Sequence, residues 1–284
     1  YPGGYGIEDI WYVEKEGESW SNPINAGPNV NSSSYEGFPS ISADGSTIYF
    51  MRTVKSPYSG KFCYQLFSSE KDKRGQWKMA QPLPYPVSQG CENCPRIMSD
   101  NETLIFAAIR EPSDNYEIYQ SRNLGNGKWS DPVAYDFINT PSDDKYGTIP
   151  SSGDIMYLNR DFGNGHDIYS IPIPLELRPR KVVNIQGELK DCSTGKPIEA
   201  RIAIFENGKS MGTSGLKSNA FDGNFTVVLK TGASYEIKIA PRGYIPYSIV
   251  YDLNETKEYG IITKDICIKP FTISQHIYPI VDGD

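Results

Sequence analysis

Alternating apolar and polar residues flank a tight turn in the segment FPSISADGSTIYF, residues 38–50. Asp44 and Gly45 occupy the turn, and an Asp-Gly pair between two alternating runs is a strong local signal for a β-hairpin. Alternation of this kind places every second side chain of a strand on the same face. The segment therefore predicts two antiparallel strands joined by a tight turn.

The hairpin pattern recurs along the chain. The segment EGFPSISADGSTIYF (36–50) aligns with ENCPRIMSDNETLIF (92–106) and with DKYGTIPSSGDIMYL (144–158). The sequence around these copies adds a strand, a polar turn and a tryptophan three times, and the three tryptophans are Trp20, Trp77 and Trp129. A repeat of about 50 residues with four short strands is typical of a propeller blade. We expect the three tryptophans to be buried where blades pack.

The repeats predict an all-β propeller of four-stranded blades over residues 1–171. Propellers close with about four to eight blades, whereas this chain supplies roughly 13 strands of the repeat. It starts at the third strand of one blade and stops after the third strand of another. We therefore expect a propeller that is incomplete at its N-terminus, with earlier strands belonging to a longer protein. A compact four-blade ring with missing strands is the alternative.

A second β-module follows the repeats. Residues 172–181 are rich in proline and predict a semi-extended linker. Residues 182–272 contain about seven short strands and an Asp222-Gly223 hairpin, which together predict a small antiparallel β-sandwich. Residues 273–284 are expected to form a tail that does not pack on the sandwich.

Composition and charge narrow the classes of function. The chain has 284 residues with 26 Gly, 21 Pro and 20 Tyr, which is typical of many short strands joined by turns. Its formal net charge of −7 argues against nucleic acid as a partner, because a nucleic-acid binder needs a basic surface. No apolar run approaches the roughly 20 residues of a membrane helix, so no transmembrane segment is expected.

The two modules resemble those of OmpA-family envelope proteins of Bacteroidetes, which carry TolB-type, WD-like propeller repeats followed by a carboxypeptidase regulatory-like sandwich. The segments GGYGIEDIWYV, FPSISADGSTIYF and GNGHDIYSIPIPLELRP carry the first likeness, and GELKDCSTGKPIEARIAIF carries the second. The resemblance implies a periplasmic protein associated with the outer membrane. It implies partners among envelope or secretion-machinery proteins, such as those of type IX secretion or gliding. Peptidoglycan would be bound only through a domain absent from this chain.

Catalytic chemistry has little support in the sequence. His166 and His276 lie in different modules, and neither belongs to a Ser/His/Asp arrangement. His166 is expected to be a turn residue. Neither a His-Glu-x-x-His zinc motif nor an Asp-x-Asp-x-Asp-Gly calcium loop occurs. We therefore expect a protein that is not an enzyme and that has no catalytic residues, metal or cofactor.

Five cysteines leave the disulfide pairing open. Cys91 and Cys94 form a single CxxC, for which a disulfide in an oxidising envelope compartment is favoured over a redox or zinc half-site. Cys63 is a further candidate for pairing there. Cys192 lies in the first strand of the sandwich and Cys267 in the last. Such terminal strands are often neighbours, so a disulfide is expected if the two Cα atoms lie within about 7 Å.

The leading functional hypothesis is a non-enzymatic envelope scaffold that presents a propeller face to protein partners. A glycan-binding or carbohydrate-processing protein is the alternative, with Trp11 and the tyrosines as candidates for stacking on sugar rings. A third hypothesis is a periplasmic partner of the TolB type, which receives a peptide in the axial channel of the propeller.

Overall fold

The computed structural model describes residues 2–55, 60, 62–161, 165–211 and 215–271. In this part of the chain the fold is all-β, apart from one 3₁₀ helix at Leu175–Leu177. The strands of the repeat region are, in chain order, β1 (Trp11–Tyr12), β2 (Lys15–Glu16), β3 (Ser19–Trp20), β4 (Ile24–Asn25), β5 (Glu36–Ile41), β6 (Thr47–Lys55), β7 (Phe62–Glu70), β8 (Gln81–Pro82), β9 (Glu92–Ile97), β10 (Thr103–Ala108), β11 (Glu117–Gly125), β12 (Lys128–Trp129), β13 (Val133–Ala134), β14 (Ile155–Asp161) and β15 (His166–Pro172).

The second module follows the 3₁₀ helix. Its strands are β16 (Val182–Asp191), β17 (Ile202–Glu206), β18 (Lys209–Ser210), β19 (Asn224–Lys230), β20 (Ser234–Ile239), β21 (Tyr247–Asp252), β22 (Gly260–Thr263) and β23 (Ile266–Ile268).

The sequence repeat gives the same antiparallel sheet more than once. Sheet A has the strand order β5-β6-β7-β8, and sheet B repeats it as β9-β10-β11, with β13 on the outer edge of β11. Sheet C consists of β14 and β15, and Thr148 forms a bridge to Tyr157 where the other sheets have their first strand. The residues before sheet A, which we call the first copy, contribute a pair, β1 with β4, which corresponds to β7 with β8.

The copies are stacked face to face, and β10 shows this most clearly. Leu104 and Phe106 belong to a core cluster shared with sheet A, whereas Ile105 belongs to one shared with sheet C. Successive side chains of a strand point to opposite faces, so both faces of β10 are buried. Sheet A is likewise packed on both faces, with Met51 towards sheet B and Phe50 towards the first copy.

The first strands of the copies lie together at one edge of the stack. The Ile97 N–H donates to Ser40 Oγ at 3.0 Å, which joins β9 to β5. Phe38, Cys94 and Tyr146 occupy the same repeat position, and all three have a left-handed φ, of 51°, 49° and 64°. Non-glycine residues rarely adopt this conformation, so the repeat imposes it. The Phe38 and Tyr146 rings stack with their centroids 5.6 Å apart.

The described residues form no closed propeller, and the expected four-stranded blades are incomplete at both ends of the stack. The physical reason is the number of strands in the outer copies. The first copy adds only the pair of β1 and β4 to the stack, and the last adds only β14 and β15. The described strands therefore make an open stack of sheets.

A buried acid begins each of the three aligned segments. The acids are Glu36, Glu92 and Asp144, with exposed fractions of 1%, 0% and 6%. Each carboxylate accepts a backbone N–H from the loop that precedes it, as Glu36 does from Ser32 at 3.0 Å. The Thr140 N–H makes the corresponding bond to Asp144. Because a buried N–H needs an acceptor, these carboxylates fix the loop that enters each sheet.

An arginine pairs with this acid in two of the copies. Arg52 Nε lies 2.6 Å from Glu36 Oε1, and the same guanidinium donates to the Val30 carbonyl at 2.7 Å. Arg160 pairs with Asp144 at 2.5 Å. The charge of each buried carboxylate is thus balanced by a cation at hydrogen-bonding distance.

The middle copy lacks this direct pair. Arg110 donates to the Val87 carbonyl at 2.7 Å, but its Nε has no hydrogen-bond partner, and the described residues include no ion pair to Glu92 within 4.0 Å. Burial raises the pKa of Glu92, against the opposing effects of the Gln89 and Gly90 N–H groups and of Arg110. Burial also lowers the pKa of Arg110. The buried charge at Glu92 is therefore only partly compensated.

The second module is a two-sheet sandwich. One sheet has the order β19-β16-β22, with β23 also on β16, and the other has the order β18-β17-β20-β21. The core between them contains Ile185, Val227, Ile204 and Ile237 among others. The prediction of an antiparallel sandwich is wrong in one respect, because β22 and β23 pair with β16 in parallel. The chain crosses over from β21, in the other sheet, before it reaches β22, and this crossover lets β22 run in the same direction as β16.

The sandwich contacts the repeat sheets directly. Lys230 Nζ lies 2.6 Å from Glu102 Oε1, and the Arg180 N–H donates to Asp100 Oδ2 at 3.0 Å. At another point of contact, Arg201 Nη1 donates to the Lys73 carbonyl at 3.0 Å. These bonds place the segments before β16 and β17 and the end of β19 beside the turns of sheets A and B.

Candidate binding cleft

A concave surface lies between the first copy and sheet A. Its volume is about 710 Å³, and its walls include Trp11, Tyr12, Val13, Pro28, Ile41 and Trp77. We refer to it as the aromatic cleft. A concave site with apolar walls and a few polar groups is the usual form of a binding site in proteins.

Hydrogen bonds from two asparagines hold the two walls of the aromatic cleft in place. Asn29 Nδ2 donates to the Trp77 carbonyl at 2.7 Å, and the Ala80 N–H donates to the Asn29 carbonyl at 2.8 Å. Asn31 fixes the opposite wall, since its side chain bonds both the N–H and the carbonyl of Ile10. The cleft is thus formed by elements that are already bonded to each other.

Several apolar side chains of the aromatic cleft are open to solvent. Tyr12 is 42% exposed, Val13 is 45% exposed and Ile41 is 53% exposed. Partial burial, with the nearby carboxylate of Glu14 as a second cause, raises the pKa of the Tyr12 hydroxyl, which is therefore neutral at physiological pH. The walls present apolar surface that a ligand can cover.

Lys71 brings a positive charge to one end of the aromatic cleft. Its ammonium lies 4.7 Å from the centre of the Trp77 ring, in a cation–π arrangement. Burial lowers the pKa of Lys71, and the charge of Glu14 opposes that shift. The described residues place no carboxylate within 4.0 Å of this ammonium. Lys71 is therefore a half-buried cation without a direct anionic partner.

A second cavity of about 420 Å³ continues from Lys71 towards the sandwich. Its charged lining consists of four basic and two acidic side chains, which are Lys71, Arg74, Arg201, Lys217, Glu14 and Glu199. Lys217 and Glu199 neutralise each other at 2.8 Å. The remaining lining is basic, although the chain as a whole has a net charge of −7.

The three repeated tryptophans have different environments. Trp129 is buried, with 8% exposure, and its ring contacts Tyr49 edge to face at 6.1 Å. Trp77 is half-buried and lines the aromatic cleft. Trp20 is 64% exposed, so its expected packing role is wrong. Trp20 lies in the two-stranded ribbon of β2 and β3, which has no further described strand whose face it could cover.

Two of the five cysteines are joined. Cys192 and Cys267 form a disulfide with a Cα–Cα distance of 4.9 Å. Cys91 and Cys94 are not joined to each other, which corrects the expected CxxC disulfide. Cys91 lies in the loop before β9 and Cys94 lies within β9, and each has a left-handed φ. The Cys91 thiol lies beside Cys63, whereas Cys94 is buried against Asn93.

The candidates for catalysis and metal binding do not assemble into a site in the described part of the chain. His166 is exposed and its Nδ1 lies 2.8 Å from Asn159 Oδ1. No group of three His, Cys, Asp or Glu side chains suited to a metal occurs among the described residues. His276 and the tail at 273–284 lie outside them. No helix within the described ranges has the length and apolar character to cross a membrane.

Comparisons with known proteins correct the expected family. No family model matches the chain, and no curated protein matches it. Two of the solved structures that match are pilus proteins. The C-terminal fragment of the pilus adhesin SpaC from Lactobacillus rhamnosus GG is 13% identical over 73% of this chain and 89% of that chain, with a TM-score of 0.28. The pilus 2b backbone protein of group B streptococcus is 13% identical over 84% of this chain and 98% of that chain, with a TM-score of 0.27. A glycosyl hydrolase from Bacteroides ovatus matches at 12% identity over 78% of this chain and 85% of that chain, with a TM-score of 0.27.

TM-scores of this size do not establish a shared fold, so no function follows from these likenesses. The expected membership of the OmpA-type envelope family is nevertheless wrong, because no model of that family matches and the described sheets form no closed propeller. Peptidoglycan and the secretion machinery were expected as partners only because of this resemblance, so they are no longer supported.

Proposed function

We propose that this chain is a non-enzymatic binding module of an extracytoplasmic scaffold protein. The observation that carries the proposal is the aromatic cleft, in which exposed apolar walls end at the half-buried cation Lys71. Such a surface suits recognition of a ligand that combines apolar or planar groups with a carboxylate. We take the ligand to be an extended acidic segment of a partner protein.

The disulfide supports the proposed location. Disulfides persist in oxidising compartments and are rare in the cytosol. Cys192 and Cys267 are joined across the first and last strands of the sandwich, where a structural bridge is most useful. We therefore place the protein outside the cytoplasm. The finer location expected from the sequence, the periplasm at the outer membrane, stays a prediction.

We also infer that the repeat sheets are blades of a propeller-like stack that remains open in this chain. The shared strand order of sheets A and B supports this view. So does the recurrence of a left-handed residue at Phe38, Cys94 and Tyr146, which brings the first strands of the copies to one edge. A rigid stack of this kind holds both walls of the aromatic cleft at a fixed separation.

The proposal is tested by binding to arrayed peptides. The full chain is applied to 12-residue peptides in which aromatic content and net charge vary independently. We expect peptides that are both acidic and aromatic to bind, because only they meet the apolar walls and Lys71 together. Tyr12→Ser and Lys71→Glu should abolish that binding.

Matched controls come from the same chain. Tyr85→Ser removes a tyrosine that is 77% exposed outside the cleft, and Lys128→Glu reverses an exposed charge elsewhere. Both controls should bind as the wild type does. Equal loss in the controls, or binding that is indifferent to peptide charge, would contradict the proposed site.

An acidic glycan is the second candidate ligand, favoured by the position of Trp11, Tyr12 and Trp77 in one cleft. Aromatic faces of this kind stack on sugar rings, and Lys71 would meet a uronic acid carboxylate. A glycan array with uronic acid and neutral oligosaccharides tests this candidate with the same four variants. Cleavage of a bound oligosaccharide would refute the non-enzymatic assignment.

A further inference from the structure

Cys63 and Cys91 bring two thiols together where sheets A and B meet. Cys63 is the second residue of β7 in sheet A, and Cys91 directly precedes β9 in sheet B. These two strands are in contact, and the Cys91 thiol lies within hydrogen-bonding reach of the Cys63 sulfur. Both residues are half-buried, so they are not sealed in the core as Cys94 is.

The backbone holds Cys91 in this orientation. Its φ is 62°, a left-handed conformation that a non-glycine residue rarely adopts without a local constraint. The next residue, Glu92, is fully buried and accepts the N–H groups of Gln89 and Gly90. The loop before β9 is therefore anchored on the residue adjacent to Cys91, and its thiol is presented to sheet A in the folded state.

We propose that Cys63 and Cys91 form a second disulfide, which links sheet A to sheet B. Two S–H bonds break and one S–S bond forms between the two residues. The electrons and protons pass to a small disulfide oxidant such as oxidised glutathione, which is released as two thiols. A compartment that maintains the disulfide between Cys192 and Cys267 also supplies an oxidant of this class.

The remaining cysteine is the internal reference for the proposal. Cys94 is 6% exposed, its sulfur lies 3.1 Å from Asn93 Oδ1, and burial raises its thiol pKa to about 11. Because its thiol is buried away from an oxidant, Cys94 should stay reduced. Burial, with a contribution from Cys63, raises the pKa of the Cys91 thiol to about 12. Closure of the second disulfide should therefore be slow at neutral pH and faster as the pH rises.

The test counts free thiols by intact mass. The folded full chain is incubated with oxidised glutathione, quenched in acid, denatured without reductant and alkylated with N-ethylmaleimide. We expect one adduct in the wild type, at Cys94, and five adducts after full reduction. Cys94→Ser should give no adduct without reduction, and peptide mapping should recover a peptide pair that contains Cys63 and Cys91.

The decisive variant is Cys63→Ser. The proposal predicts that Cys91 and Cys94 both remain able to react in this variant, with N-ethylmaleimide or as a glutathione adduct. A CxxC disulfide would instead protect both of them, and that result would overturn the proposal. Three adducts in the oxidised wild type, with the disulfide between Cys192 and Cys267 intact, would overturn it as well.

Discussion

The repeated acid allows one substitution to be made twice in the same protein with opposite expected outcomes. Glu36 and Glu92 occupy equivalent positions, and both are buried and bonded to loop N–H groups. The two acids differ in whether a cation pairs with them. Arg52 Nε lies 2.6 Å from Glu36 Oε1, whereas no cation lies within 4.0 Å of Glu92 in the described part of the chain. We therefore compare Glu36→Gln with Glu92→Gln.

The expected magnitude for Glu36→Gln follows from its buried pair. Glutamine keeps an oxygen that can accept the Ser32 N–H but removes the charge that balances Arg52. Removing one partner of a buried pair costs about 3 to 5 kcal/mol. Arg52 keeps its bond to the Val30 carbonyl and its position 4.4 Å from the Phe67 ring, so we expect a cost of about 3 kcal/mol. The Tm of the repeat sheets should fall by roughly 6 to 12 °C.

Glu92→Gln should have no such cost at neutral pH. Its side-chain oxygen can still accept the Gly90 N–H, whereas the poorly compensated charge is removed. The folded state raises the pKa of Glu92, so its protonated form is favoured by folding. The stability from this group is fully present below its ordinary pKa and is lost as the pH rises through its folded pKa. Relative to the wild type, Glu92→Gln should be unchanged or more stable at pH 7, and this gain should vanish below about pH 4.

Tryptophan fluorescence during urea unfolding measures both variants selectively. All four tryptophans, which are Trp11, Trp20, Trp77 and Trp129, lie in the repeat region, so the sandwich contributes no signal. Urea midpoints at pH 7 and pH 4 give the two differences. If Glu92→Gln loses as much stability as Glu36→Gln at pH 7, the reasoning from ion pairing is refuted.

Three further outcomes are expected. Trp129→Ala should destabilise the repeat sheets by about 3 to 5 kcal/mol, while Trp20→Ala leaves the urea midpoint unchanged; similar losses in both would contradict the difference in burial. Cys192→Ser should cost the sandwich about 2 to 5 kcal/mol, measured by circular dichroism, and a reductant should then have no further effect on its stability. Gly187→Ala should prevent or strongly weaken sandwich folding, because a Cβ there would lie 2.1 Å from the Lys264 carbonyl oxygen. Gly260→Ala, whose Cβ meets only Val183 side-chain atoms at 3.8 Å, is the matched control and should be tolerated.

The repeat could be found in the sequence because its strands keep the same alternation. The alignment of Glu36 with Glu92 and Asp144 placed the first strand of each copy, and the structure has strands starting at the first two. The arginines were missed because no local pattern links them to the acids. Arg52 and Arg160 lie on the next strand, 16 residues after their acids, and Arg110 lies just beyond β10, 18 residues after Glu92. A search for a basic residue at similar distances after each acid would have found them.

Trp20 shows why an exact register does not guarantee an equivalent environment. Its sequence context matches that of Trp129, but burial depends on the strands that surround it in space. Trp129 has β11 and the side chain of Tyr49 beside it, whereas the ribbon that carries Trp20 pairs only with itself. The aromatic cleft was missed for the same reason, because its walls come from segments far apart in the chain.

The parallel pairing of β16 with β23 has a mechanical consequence. A chain under tension that enters the sandwich at Val182 and leaves after Ile268 passes along β16 to Cys192, crosses to Cys267 and continues out. The covalent bond carries the load across 75 sequence positions, so the strands between the two cysteines lie outside the path of the force. Pulled from its two ends, this module should lengthen very little before covalent bonds bear the whole tension.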